Sequence, residues 1–369
     1  MVSRLSSSVV SRLLSLNCTS TCAPISSIAH QYRSASTSPN LNEVVIVSAV
    51  RTPIGSFRES LASVPAVKLG AAAIKACLER AKIPANRVQE VYMGYVVQAG
   101  VGQAPARQAS LYAGLTQEIL CTTVNKVCAS GMKAIIIVGG MESMSNAPYY
   151  FPRGDIPYGN LQMEDGIAKD GLVDACDRIP MGLCAEQTAK KYNLTRADQD
   201  AFAKLSYERT ARAWKEGKFN AEINASKIND GAAACLLMTR QAADGLVCKP
   251  IARIIAFADA ATAPVDFSIA PALAVPKLLT LAKVDKNDIA LWEFNETFSS
   301  VALANAKILG LSIDKMNVDG GAVALGHPIG MSGARIVVHL CHSLKSGQKG
   351  VAGVCNGVGG ASNILIEKL

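Results

Sequence analysis

One order of elements is written twice in this chain, and that repetition constrains the fold more than any single motif. Residues 43–49 (EVVIVSA) form a β-branched run of the kind that makes a buried parallel strand. Residues 67–82 follow with apolar side chains at helical spacing until Ile83-Pro84 stops them, and 88–93 predict the next strand. After Pro250 the order returns, with a strand at 252–258 (ARIIAFA), a helix at 272–282 and a strand at 289–294. The copies match even in letters: Ala81-Lys82-Ile83 against Ala282-Lys283-Val284, 86–88 against 287–289, and helices ending at Gly114-Leu115 and Gly310-Leu311. A strand–helix–strand unit used twice specifies a duplicated α/β domain.

Gly245 and Pro250 interrupt two periodic segments, so 245–250 reads as the linker between a first domain (41–245) and a second (250–369). Residues 141–220, helical and polar over 186–191 and 196–214, read as an insertion in the first domain and, by their size, as a substrate lid. Residues 1–40 differ in kind. They are Ser-rich, carry Arg4, Arg12 and Arg33, contain no acid, and break the apolar run of Val9, Val10, Leu13, Leu14 and Leu16 with Ser11, Arg12 and Ser15. That pattern predicts a mitochondrial presequence and a matrix location; a secretory signal needs an unbroken apolar core, and a membrane anchor about 20 apolar residues.

The net charge is +8, but without those three arginines 34 Lys+Arg face 29 Asp+Glu, leaving +5. This mild excess, with no Lys/Arg run, carries no nucleic-acid signature and suits an anionic small ligand. With 50% hydrophobic and 18% charged residues, 369 residues can bury a large core. Nine of the 11 cysteines lie beyond the presequence, without CxxC spacing, so in a reduced compartment most are small buried hydrophobes.

Four segments pair a reactive side chain with glycines or a second polar group: NKVCASGM (125–132), WEFNETF (292–298), GGAVALGHPIGMSG (320–333) and CNGVGGA (355–361). Cys128 follows a strand-like stretch and is expected at a strand-to-helix turn, where the helix's positive end favours a thiolate. His327 is one of three histidines beyond the presequence, and a near-neutral base is what a thiol needs for activation. Gly321, Gly326 and Gly330 around it mark a loop that ligand approaches. The bland alternatives are an inert buried cysteine and a structural histidine. No Walker-type or GxGxxG fingerprint follows a strand, and neither metal nor nicotinamide is called for.

Taken together and in this order, the four motifs resemble the thiolase family over residues 42–369, nearest to its mitochondrial acetoacetyl-CoA members. The resemblance implies an α/β fold of duplicated βαβ domains in five layers, α-β-α-β-α, with a helical lid insertion. It implies acetyl-CoA C-acetyltransferase activity: reversible thiolysis of acetoacetyl-CoA, or condensation of two acetyl-CoA, through an acetyl-Cys128 intermediate. In that scheme His327 takes the proton of Cys128 and donates to the thioester oxygen, and Cys355 moves the α-proton. Asn295 holds a water that completes one oxyanion hole with His327, and the amides of Cys128 and Gly357 form the other. Tyr207 and Ser226 match coenzyme A contacts, and Met181 an acyl-pocket wall, although Pro180 stands where members carry His. Tyr207, Ala225 and Val323 match contacts to a potassium ion. Coenzyme A enters as substrate, nothing else is tightly bound, and the expected partners are acetyl-CoA, acetoacetyl-CoA and coenzyme A. A homodimer or homotetramer is implied, with 147–158 as a contact loop and no nucleic acid or membrane.

The chain departs from the family pattern in two places. Ten residues, 129–138, separate Cys128 from Gly139, too few for a helix of about 11 residues and a strand of about 5. Residues 134–138 (AIIIV) read as the strand tail, so most of the helix carrying Cys128 is expected to be absent. Between Phe219 and Asn224 the family's further strand, and an Arg- and Lys-bearing loop that grips the nucleotide end of coenzyme A, are skipped. Thr297 and Val358 replace a usual Ala and Gly; Val358 is costly if that position requires positive φ. Two readings compete with the acetyltransferase: a thiolase for longer 3-ketoacyl chains, and an inactive shortened product. Ketoacyl-ACP synthases use Cys with two His, whereas His339 and His342 lie outside the glycine-rich motifs.

Overall fold

The computed structural model describes residues 43–132, 137–151, 153–154, 158–223 and 230–369, so the presequence reading lies outside the described residues. The first copy of the repeat runs β1 (Val44–Arg51), α1 (Ala66–Ala81), β2 (Glu90–Gly94), α2 (Pro105–Tyr112), β3 (Leu120–Val124) and β4 (Ile137–Glu142). A short ribbon follows, β5 (Tyr149–Tyr150) with β6 (Glu164–Asp165), then α3 (Met181–Lys191), α4 (Arg196–Lys215), β7 (Gly231–Thr239) and α5 (Arg240–Gly245). The second copy comprises β8 (Ala252–Ala261), α6 (Ala270–Ala282), β9 (Ile289–Phe294), α7 (Ser299–Leu309), α8 (Ala322–Leu325), α9 (Ser332–Ser343), β10 (Lys349–Asn356) and β11 (Gly360–Lys368).

Matching residues end matching helices. Lys82 closes α1 at φ 55 and Lys283 closes α6 at φ 54, each turning its N–H back onto carbonyls of the last helical turn. The nine-stranded sheet has the order β3-β2-β4-β7-β1-β8-β11-β10-β9. Read outward from the β1–β8 junction, β1-β7-β4-β2-β3 is repeated by β8-β11-β10-β9, and the fifth place is held by an isolated parallel bridge from Trp292 to Met316. The parallel expectation for 43–49 therefore needs correction. β1 shares direction with β4 and β2, but both its neighbours, β7 and β8, are antiparallel. Its unbroken apolar character reflects burial on both faces: Val45 and Val47 pack with α1 residues, Ile46 with those of α9.

The two halves of the sheet meet through only Val45↔Arg253 and Ile46↔Ala252, and α9 packs against strands of both halves. With α1 against β1, β4 and β7 and α6 against β8 and β11, the layers run helix, sheet, helix, sheet, helix. Residues 332–341 of α9 are all buried, as a central helix requires. Pro264–Ala282, long and apolar enough to cross a membrane, contains α6, which lies on the sheet.

The central layer is where the copies diverge. In the second copy, the chain reaches β10 through the 12 residues of α9. In the first, it leaves β3, makes a three-residue 3₁₀ turn at Ser130–Met132, and reaches β4 after only residues 133–136, which lie outside the described residues. At about 1.5 Å of rise per residue, no helix comparable to α9 fits there. The expected shortening at Cys128 thus has a structural counterpart. At the second gap, Ile223 makes an isolated parallel bridge to Arg51, and 224–229 lie outside the described residues.

Candidate active site

Cys128 lies in the loop that follows β3. Lys126 N–H donates to Ser130 Oγ at 2.8 Å, Ser130 Oγ donates to the Val127 carbonyl at 2.6 Å, and Val127 is held at φ 47. Across the domain boundary, Lys126 Nζ donates to Ser362 Oγ at 2.7 Å and pairs with Asp259 at 3.1 Å, fastening the loop to β11 and β8. Burial, and then the neighbouring Cys355, push the Cys128 thiol well above its ordinary range, while the Gly357 N–H donates to its sulfur and opposes them. A three-residue turn carries little of the positive end that an α-helix would supply. Among the described residues, therefore, no α-helix terminus supplies the expected activation.

Cys355 ends β10, fully buried, and burial raises its thiol to about 11 against a contact from Thr297 Oγ1 at 3.6 Å. His327 lies between α8 and α9. Burial, followed by the charge of Arg335, lowers it to about 4, so its ring is neutral at neutral pH. Ser332 Oγ donates to the Pro328 carbonyl at 3.0 Å and sits 2.6 Å from His327 Nδ1. With its hydrogen on that carbonyl, the hydroxyl can accept from Nδ1–H, the tautomer that leaves the lone pair on Nε2. Asn295 Nδ2 lies 3.4 Å and 3.5 Å from the two ring nitrogens, and its buried Oδ1 has no hydrogen-bond partner among the described residues.

Beside these groups opens a cleft of about 590 Å³, lined in part by Asn125, Val127, Lys169, Met181, Gly357 and Val358. Cys128, His327, Cys355 and Asn295 are not on its wall; Val127, which precedes Cys128 in the chain, and Gly357 are. Met181 is buried at the start of α3, its thioether reaching to about 4 Å from where a side chain on Gly357 would begin. Val358 adopts φ 63 in the β10–β11 turn, the conformation its β-branched side chain resists.

Of the lesser positions, Tyr207 is 60% exposed on α4, Val323 on the neighbouring α8 donates its N–H to Glu296 at 3.1 Å, and Ala225 and Ser226 lie outside the described residues. Among the described residues no group of three or more His, Cys, Asp and Glu converges on a metal position. Sequence reasoning missed two supports, although both lie in or next to its motifs. Ser332 fixes the His327 tautomer, as described above. Glu142, fully buried, accepts the N–H groups of Val96, Val97 and Gly330 at 3.1, 3.3 and 3.0 Å, tying β4 to the His327 loop; burial, eased by those amides, raises it to about 8.

Arg335 and His339, one turn apart on α9, enter a buried ionic cluster. His339 lies 3.4 Å from both Glu222 and Asp319, Arg335 is 3.8 Å from Glu293, and Arg51 is 2.9 Å from Glu222. Burial opposes the charge on His339, but Glu222, Glu293 and Asp319 outweigh it and raise the imidazole to about 10.

Two family models match: "Thiolase, N-terminal domain" over residues 44–223 and "Thiolase, C-terminal domain" over 248–368. The chain is 53% identical to the mitochondrial acetyl-CoA acetyltransferase of Mus musculus, with 91% of this chain and 94% of the relative aligned. Identity to that of Homo sapiens is 49%, over 94% of this chain and 95% of the relative. The mouse alignment spans 397 positions, more than the 369 residues of this chain, so the relative carries segments that this chain skips. A crystal structure of Acat5 thiolase from Ascaris suum in complex with coenzyme A superposes with a TM-score of 0.86 at 45% identity, covering 89% of this chain and 100% of that one.

Proposed function

The chain belongs to the thiolase family, and from that premise we propose that it is an acetyl-CoA C-acetyltransferase working through an acetyl-Cys128 intermediate. The observation that carries the reading is the convergence of the motifs: Asn295 Nδ2 lies 3.4 Å from His327 Nδ1 and 3.1 Å from Thr297 Oγ1, Thr297 Oγ1 lies 3.6 Å from Cys355 Sγ, and Cys355 is close enough to Cys128 to raise its thiol. Cys128 gives its proton to His327 Nε2 and attacks the ketone carbon of acetoacetyl-CoA. The carbon–carbon bond breaks, and Cys355 protonates the departing acetyl-CoA enolate. Oxygen charge on the acyl carbon is met by the amides of Cys128 and Gly357, and on the leaving thioester by His327 with a water held at Asn295 Oδ1. The thiol of a second coenzyme A then gives its proton to the Cys355 thiolate and takes the acetyl group, Cys128 leaves as the thiolate and recovers its proton from His327, and Met181 bounds the acyl pocket.

The relatives' mitochondrial names and the acid-free first 40 residues support a matrix location after removal of a presequence. The exposed Tyr149, Phe151 and Tyr158 support self-association through 147–158. For potassium, Tyr207 and Val323 alone make no cradle among the described residues, and no step is assigned to that ion. The raised Cys128 thiol favours a second reading, a chain of strongly reduced activity.

The test compares acetoacetyl-CoA with a long-chain 3-ketoacyl-CoA as thiolysis substrates of the purified chain and of Cys128→Ser. Faster cleavage of acetoacetyl-CoA, lost in Cys128→Ser, supports the proposal; preference for the long chain rejects it.

A further inference from the structure

Thr297 connects groups from both sides of the proposed reaction. Asn295 Nδ2 donates to Thr297 Oγ1 at 3.1 Å, and Oγ1 lies 3.6 Å from Cys355 Sγ. The amide occupies one lone pair of that oxygen and leaves its hydrogen free to turn to the sulfur; a Cys355 thiolate, having no hydrogen, can only accept it. We propose that Thr297 is a positioning residue that holds the Asn295 amide and, by donating to Cys355, favours the thiolate of that cysteine. The proposal rests on the roles given above to Asn295 and Cys355.

A hydroxyl donating to sulfur stabilises the charged form over the neutral one, and Thr297 opposes the effect of burial on Cys355 in that direction. Competing charges around β10 are committed elsewhere. From β9, Glu293 faces Arg335 and His339; from β11, Lys368 donates to the Cys341 carbonyl at 2.6 Å; and Asp266, ahead of α6, pairs with Lys191. Cys128 shares the site as a thiol that burial keeps neutral, and His327 lies beyond Asn295. Thr297 is thus the side chain that bears most directly on the Cys355 sulfur.

The experiment follows alkylation of the full chain by iodoacetamide, peptide by peptide, at one pH well below the Cys355 pKa. The parent, Thr297→Ser and the near-isosteric Thr297→Val are compared. Each pKa unit there is a tenfold change in thiolate, so Thr297→Val is expected to slow Cys355 about threefold to tenfold. Thr297→Ser should stay within about twofold of the parent, and Cys128, read in the same digests, should change less than about twofold. Equal Cys355 rates in parent and Thr297→Val, or equal slowing of both cysteines, overturns the proposal. The readout needs no turnover. A chain that fails to cleave acetoacetyl-CoA yet shows the Cys355-selective loss keeps the Thr297 bridge and loses the function proposed above.

Discussion

The duplication makes two corners of this molecule equivalent, and they have been treated differently. After the Met316 bridge the second copy keeps a buried 12-residue helix, α9, whose first residues hold His327 through Ser332. After β3 the first copy has Cys128 and a three-residue turn. One corner therefore positions His327, the proposed base, by a helix with packing on both faces. The other holds Cys128, the proposed nucleophile, by a loop pinned through Ser130 and Lys126. Geometry can survive the loss of a helix when neighbours supply the contacts; the electrostatic bias toward a thiolate cannot, because it came from the helix itself.

The largest effect should come from the nucleophile. Cys128→Ser is expected to lower thiolysis by about a thousandfold or more, measured as kcat on acetoacetyl-CoA. Cys355→Ser should retain the half-reaction that acetylates Cys128 from acetyl-CoA, which mass spectrometry of the trapped intermediate detects. Loss of that acetylation would mean that the corners are not separable.

Packing gives the next contrast. Ile336→Ala on α9, where the side chain is fully buried, should cost about 2 to 5 kcal/mol in denaturant unfolding, whereas Met132→Ala in the opposite turn should cost less than about 1 kcal/mol. Equal costs would show that the turn carries core packing after all. Val358→Gly should relieve the strained turn beside Gly357 and stabilise by about 1 kcal/mol, read by the same unfolding curves.

The smallest effect is a pH dependence. Glu142 is raised from 4.5 to about 8 and Glu293 from 4.5 to about 7, so the stability each contributes is complete below 4.5 and is lost as pH rises through the folded value. His339, raised from 6.5 to about 10, has the same sign at higher pH. The melting temperature should fall between mildly acidic and alkaline pH, and Glu142→Gln should flatten that fall by a few degrees.

Much of this was legible in the sequence because periodicity and repetition are local signals. The strand at 289–294 has the bounds expected of it, and the ten residues between Cys128 and Gly139 already mark the shortened corner. The antiparallel flanks of β1 were not legible, since a β-branched run reports burial on two faces but not which distant strand pairs with it. Ser332 and Thr297 lie inside recognised motifs, yet nothing in the sequence shows that the start of α9 folds Ser332 back onto His327, or that Thr297 meets Cys355, 58 residues away, where β9 and β10 pair. Glu142 was hidden for the same reason: its partners are backbone amides about 45 and 188 residues away, and backbone leaves no sequence signature.

The central claim is that the chemistry resides in Cys128 and its partners while the missing helix limits it. The direct test measures acetoacetyl-CoA thiolysis by this chain beside a version in which a full helix is restored between Cys128 and β4. The account predicts measurable turnover in both, and a rate about tenfold higher, with a lower Cys128 pKa, in the restored chain. Equal rates and equal thiol pKa values in the two proteins would contradict it.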